Sequence, residues 1–265
     1  MIYIDSHCHI DGEKFDVDRD EVVQRARDVG VAVMLNIGTG DPRSDDFRRA
    51  VDVAVRNKNV YAAVGVHPHD AKLYDDEAEE HLIGLIKSSE KVIAWGEIGL
   101  DFHYDHSPRD IQIAVFRRQI RKARELGLPI IIHSRAADDE TVQILETECS
   151  YEGFRGIMHC FGGTPLMAEA LLKLGFLISF AGNVTFKKAD NLRDAARVVP
   201  LHKLLIETDC PFLTPEPLRG KRNEPSFVVH TAKYLADLYD IDVERLAKQT
   251  TSNFIGLFGI NLGTN

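Results

Sequence analysis

Cysteine is scarce in this chain: Cys8, Cys149, Cys160 and Cys210 are the only four in 265 residues. That is too few for a disulfide scaffold, and no CxxC pair marks a structural zinc. Long apolar runs are also missing; the longest are strand length, far short of the ~20 residues a membrane helix needs. The opening MIYIDSHCHI has no basic segment followed by an apolar run and a small-residue cleavage site. Secretion is therefore not expected, and the cytoplasm is the expected compartment. No GxGxxG follows the first apolar run, so the usual phosphate cradle of an open dinucleotide-binding sheet is absent. Positive charge is in deficit, with 32 Lys and Arg against 41 Asp and Glu, a net charge of −9. That balance opposes tight nonspecific binding along duplex DNA. It still permits a nucleic-acid substrate, because bound cations and a few basic loops supply local positive charge. No linker or low-complexity stretch interrupts residues 1–265, which are expected to form one domain.

What is present is a steady alternation of short apolar runs and longer amphipathic stretches. Strands are expected near Ile2–Cys8, Val31–Ile37, Val60–Val66, Val92–Ile98, Pro129–His133, Gly156–His159, Phe176–Phe180 and Leu204–Thr208. Consecutive buried-type residues such as Ile130-Ile131-Ile132 suit parallel strands covered on both faces. The clearest helix is Ile111–Leu126, where Ile113, Phe116, Ile120, Ala123 and Leu126 keep helical spacing. About eight strand–helix units of roughly 30 residues each match an α/β chain folded as a (β/α)₈ barrel. A doubly wound open sheet is the rival, but an HxH stands where its glycine-rich loop would be expected.

The unusual residues fall at expected strand ends. His7 and His9 flank Cys8, and alternation sends both imidazoles to one face while Cys8 turns away. Glu97 sits at the end of strand four, His133 ends strand five, His159 ends strand six and Asp209 ends strand eight. Singly, each has a plain structural reading: HxH as polar core histidines, Glu97 as a buried salt-bridge partner, Asp209 as a helix cap. Together, five strands delivering ligand-type residues to the C-terminal rim point to metal, since buried charges need partners. Six groups are too many for one ion that also holds water, so two divalent cations sharing a bridging carboxylate are expected. Glu97 is the expected bridge, with His7, His9 and Asp209 on one ion and His133 and His159 on the other. Imidazole with carboxylate suits zinc, manganese, nickel or iron, and magnesium less well.

These residues, in this order, resemble the TatD family of metal-dependent hydrolases. The resemblance runs through DSHCHID (5–11), GVHPH (65–69), GEIGLD (96–101), PIIIHSR (129–135), HCF (159–161), ETDCP (207–211) and RGKRNEP (219–225). It implies a distorted TIM barrel of the amidohydrolase kind and deoxyribonuclease activity, as a 3′–5′ exonuclease or related phosphodiesterase. The family's ligands fall on His7, His9, Glu97, His133, His159 and Asp209, with Asp209 doubling as general base.

The chemistry expected is attack on phosphorus by a hydroxide bridging the two metals, with Glu97 and Asp209 as the catalytic carboxylates. Candidate substrate contacts are His67 as a donor to a phosphate oxygen, Arg135 as a phosphate fork, and the cluster Arg219, Lys221 and Arg222. A role in supporting a metal ligand or capping the loop, a salt bridge and solvated surface are the respective alternatives. Asn223 reads as an N-cap before Glu224-Pro225. Asp5 and Asp101 could orient imidazoles, or serve buried hydrogen bonds. His69, His81, His103, His106, His202 and His230 show no partner pattern and are read as ordinary histidines. Cys8, Cys160 and Cys210 are read as small core residues. DNA or another phosphodiester is the expected transient partner, with no membrane and no stable protein partner. Hydrolysis of an amide, ester or lactone is the competing activity, because the same metal chemistry attacks carbonyl carbon. A noncatalytic metal-binding protein is the third reading, and it requires closed coordination.

Overall fold

Runs rich in Val, Ile and Ala with few interrupting charges build the interior of the fold, as strands covered on both faces require. The computed structural model describes residues 1–261. Its strands are β1 (Tyr3–Cys8), β2 (Val31–Gly38), β3 (Val60–Val64), β4 (Val92–Asp101), β5 (Ile130–Arg135), β6 (Gly156–Met158), β7 (Leu177–Phe180) and β8 (Leu204–Ile206). All neighbours pair in parallel, in the order β1 through β8. Between successive strands run α1 (Arg19–Asp28), α2 (Asp46–Arg56), α3 (Asp76–Ser88), α4 (Arg109–Glu125), α5 (Asp138–Glu148), α6 (Pro165–Lys173) and α7 (Asp190–Val198). After β8 come α8 (Val228–Leu238) and α9 (Val243–Phe258). The expected (β/α)₈ barrel is therefore the observed one.

The barrel is nearly closed, and the closure falls at the candidate residues. β8 is short, and the backbone beyond it completes the pairing: Asp209 N donates to His7 O at 2.9 Å and His9 N donates to Cys210 O at 2.9 Å. Buried Asp5 fastens the same seam by accepting from Thr208 N at 2.8 Å and Thr208 Oγ1 at 2.6 Å. Asp5 thus clamps β1 to the segment after β8 and does not orient an imidazole. Burial pushes its carboxyl up to about 8.

Helix α4 braces the neighbouring rim. Its buried face carries Val115, Phe116, Ile120 and Ala123, but also Gln112 and Gln119. The expected stripe omitted both glutamines. Gln119 Oε1 accepts from Val66 N at 2.8 Å and from Trp95 Nε1 at 3.1 Å, while its Nε2 donates to Val66 O at 2.9 Å. Gln112 holds Asp101 the same way, accepting from its N at 2.8 Å and donating to its O at 3.1 Å. Two amides satisfied on both sides are what allow polar groups in this core.

Candidate metal centre

The sequence Gly96-Glu97-Ile98-Gly99 explains how Glu97 reaches the barrel axis. A Cβ on Gly96 would lie 2.6 Å from Ile131 Cβ, and one on Gly99 would lie 1.9 Å from His133 O. Only glycine lets β4 approach β5 so closely, and Gly99 also holds φ at +149°. The pairing shifts register between Gly96 and Ile98. The outcome is Glu97 Oε1 at 2.8 Å from His133 Nδ1 and 2.7 Å from His159 Nε2. Its other oxygen, Oε2, faces His7 Nε2 at 3.4 Å. One carboxylate therefore turns an oxygen toward each of two groups of imidazoles.

On the Oε2 side, His7 Nε2 and His9 Nε2 are 3.1 Å apart. His9 Nδ1 donates to Ile37 O at 3.0 Å, which leaves Nε2 as the nitrogen that faces the site. Asp209 Oδ1 lies 3.5 Å from His9 Nε2 and 3.7 Å from His7 Nε2. Two ring nitrogens aimed at one another beside two carboxylates make a natural cation cradle. Burial opposes a charged His9, yet Asp209 and Glu97 raise it to about 9. Burial would likewise raise Glu97, but His159 and His133 hold it well below the usual carboxylate range. Asp209 is also held low against burial, chiefly by His9. Both carboxylates are anionic and draw positive charge to the site. Imidazole plus carboxylate is a donor set that fits divalent metal ions.

On the Oε1 side stand His133, His159 and His67. His133 Nε2 lies 3.3 Å from Asp101 Oδ2, which also meets His69 Nε2 at 3.0 Å. Asp101 thus orients an imidazole, and His69 belongs to the site and is not an ordinary histidine. His159 Nδ1 faces Glu207 Oε1 at 3.2 Å, and the same oxygen accepts from Cys160 N at 2.8 Å. Glu207 escaped the sequence reading, although it stands two residues from Asp209. The rings of His7 and His159 stack with centroids 3.8 Å apart. Among the described residues, ligand-type atoms within 4.8 Å of one another form three groups: His7, His9 and Glu97; His7, His159 and Asp209; His67, Glu97 and His133.

His67 differs from the rest despite its 3.6 Å approach to Glu97 Oε1. Its Nδ1 accepts from His69 N at 3.2 Å, which places the ring proton on Nε2. Burial and the neighbouring His133 keep this imidazole neutral by lowering it well below its ordinary value. It presents an N–H to the cavity and no lone pair.

Several strand limits shift from expectation. His133 lies inside β5, His159 one residue past β6, and Asp209 three residues past β8. Cys160 and Asp209 take left-handed backbone, with φ of 41° and 54°. Such turns end pairing early and cluster at the candidate centre. Cys8 and Cys210 are buried as expected; Cys160 is half-buried and lines the cavity instead of the core.

A cavity of about 1050 Å³ opens above the cluster, and its walls include His67, His69, Arg135, Lys14, Lys188 and Asn183. Arg222 does not serve it: its guanidinium is bound to Asp18 at 2.6 Å and 2.8 Å, over the ring of Phe15. Arg219 lies over Phe186 at 3.6 Å, outside the wall itself, and Lys221 is exposed. Asn223 is no N-cap; its Nδ2 donates to Thr208 O at 2.8 Å and Phe212 O at 2.5 Å, tying down the loop that carries Asp209. No described helix is long and apolar enough to cross a membrane.

Residues 4–259 match the model of the TatD related DNase family. An uncharacterized metal-dependent hydrolase of Bacillus subtilis (strain 168), YabD, is 45% identical, covering 97% of this chain and 99% of the relative. The 3′-5′ ssDNA/RNA exonuclease TatD of Erwinia amylovora is 35% identical, covering 97% and 99%. The crystal structure of YJJV, a TatD homolog from Escherichia coli K12, superposes with a TM-score of 0.90 at 30% identity, covering 98% of each chain. The chain belongs to the TatD family of metal-dependent hydrolases.

Proposed function

We propose that this protein is a two-metal phosphodiesterase acting on DNA ends, a 3′–5′ exonuclease of the TatD type. The observation that carries the reading is the split allegiance of Glu97, with Oε1 toward His133 and His159 and Oε2 toward His7. One cation would be held by His7, His9, Asp209 and Glu97, the other by His133, His159 and Glu97. Such ions supply Lewis acidity and bring water's acidity toward neutrality.

The chain's own groups do the rest. Asp209, anionic and only partly shielded from the cavity, takes the proton of the attacking water at Oδ1. His67, with its proton on Nε2, donates to a phosphate oxygen. Arg135, which has no carboxylate within salt-bridge distance among the described residues, gives its guanidinium to the same group. Asp101 and Glu207 hold His133 and His159 in the tautomer that a ligand needs. The relative named as an ssDNA/RNA exonuclease supports a nucleic-acid substrate. The whole chain acts as one domain on this reading, and its four free cysteines suit the cytoplasm.

The test is metal-replete hydrolysis of end-labelled single-stranded DNA beside panels of amides, esters and lactones, each with wild type and His133→Ala. Stepwise shortening from the 3′ end, lost in the variant, is expected. Turnover confined to a carbonyl panel overturns the phosphodiesterase reading, and shortening that survives in the variant traces the activity to a contaminating nuclease.

A further inference from the structure

His67, Pro68 and His69 follow β3, and both histidines line the cavity. His67 turns to Glu97, whereas His69 turns to Asp101, the carboxylate behind the imidazole of His133. Asp101 is 1% exposed, so each of its four lone-pair positions calls for a donor. Oδ1 accepts from two main-chain groups, His103 N and Tyr104 N, both at 3.0 Å. Oδ2 lies between two rings, with His69 Nε2 at 3.0 Å and His133 Nε2 at 3.3 Å. The shorter contact goes to His69, which belongs to none of the three ligand groups. His69 is itself wedged in place. Its ring meets those of His67 and His106 edge-on, with centroids 4.3 Å and 4.6 Å away. Its carbonyl accepts from Ser107 Oγ at 2.7 Å, and its main-chain N–H donates to His67 Nδ1 at 3.2 Å.

We infer that His69 is a positioning residue of the metal centre: its Nε2–H stops the Asp101 carboxylate from turning and so keeps Oδ2 behind His133. The inference rests on the reading of His133 as a metal ligand and adds the group that steadies the ligand's support. Two donors on Oδ1 leave the carboxylate able to swing about that oxygen. Without the N–H of His69, Oδ2 turns to water in the cavity, and the His133 ring loses the partner that selects its tautomer. A residue that only walled the cavity would act through its volume, and the N–H would be dispensable. The His69 side chain is 28% exposed, so replacing it leaves the core intact.

Three variants separate the N–H from the volume. His69→Phe keeps a ring and removes the donor, His69→Gln keeps an N–H donor near the place of Nε2, and His69→Ala removes both. Zinc affinity of the full chain is measured by competition with a chromogenic chelator. The His133 Nε2–H proton is followed by nitrogen-edited NMR of the isotope-labelled, metal-free protein. His69→Phe and His69→Ala should bind zinc about tenfold more weakly than wild type and lose the proton signal to solvent exchange, with melting temperatures near that of wild type. His69→Gln should keep the signal and stay within about threefold of wild-type affinity. A His69→Phe variant that keeps the signal, or that binds zinc as wild type does, overturns the inference. So does a His69→Gln variant as weak as His69→Phe. If the wild type binds no zinc, the ligand reading fails, and the proton signal alone decides the positioning role: loss in His69→Phe with retention in His69→Gln upholds it, and equal signals overturn it.

Discussion

Glu207 Oε1 meets His159 Nδ1 at 3.2 Å in a position fully closed to solvent, while the opposite nitrogen of the same ring reaches Glu97 at 2.7 Å. A carboxylate behind an imidazole fixes the ring's tautomer and strengthens its outer nitrogen as a donor. Glu207→Gln removes that charge and keeps the shape. It should weaken metal binding about 10- to 100-fold with the fold retained, read by competition against a chromogenic chelator. Unchanged affinity would mean that Glu207 only supports the Cys160 backbone.

Asp209→Asn keeps a ligand-sized side chain but cannot take a proton. Its kcat on a phosphodiester should fall at least about a hundredfold, with melting temperature near that of wild type. Wild-type turnover in this variant defeats Asp209 as the base.

The brace at Gln119 bears on stability and not on chemistry. Gln119→Leu strands three buried groups, Val66 N, Val66 O and Trp95 Nε1. At ~1–3 kcal/mol for each unsatisfied group, urea denaturation should show a loss of at least about 3 kcal/mol. A loss under about 1 kcal/mol would mean that the helix shifts and repairs the bonds.

Acid should act through Glu224, whose carboxylate takes Arg25 Nη2 at 2.6 Å. Burial alone would raise this carboxyl, but Arg25 and Ser226 hold it below its ordinary 4.5. A carboxylate held low in the folded state stabilises fully above the unfolded value and loses that contribution as pH falls toward the folded one. The stability gap between wild type and Glu224→Gln should therefore be constant near neutrality and shrink below about pH 4.5. A gap independent of pH down to about 3 would show that the pair contributes by packing alone.

The barrel was legible because its signal is periodic: eight apolar runs with helices between them leave few other topologies. His7, His9, Glu97, His133, His159 and Asp209 were legible as a set because strand ends share one rim. Their limits were less so, since left-handed turns at Cys160 and Asp209 and the glycine contacts of β4 depend on neighbours in space. Loops carry no period. The RGKRNEP stretch reads as one basic cluster, yet its Arg222 is claimed by Asp18 and its Asn223 by backbone carbonyls. Likewise His69 meets Asp101, 32 residues away, and Lys14 meets Phe212 only after folding.

Metal stoichiometry tests the shared carboxylate most directly. Purified protein, stripped with chelator and titrated calorimetrically with zinc or manganese, should take up two ions per chain. Glu97→Gln, correctly folded, should lose at least one of them or bind both at least about tenfold more weakly. Two ions bound with wild-type affinity in that variant, or no ions bound in the wild type, would contradict the account.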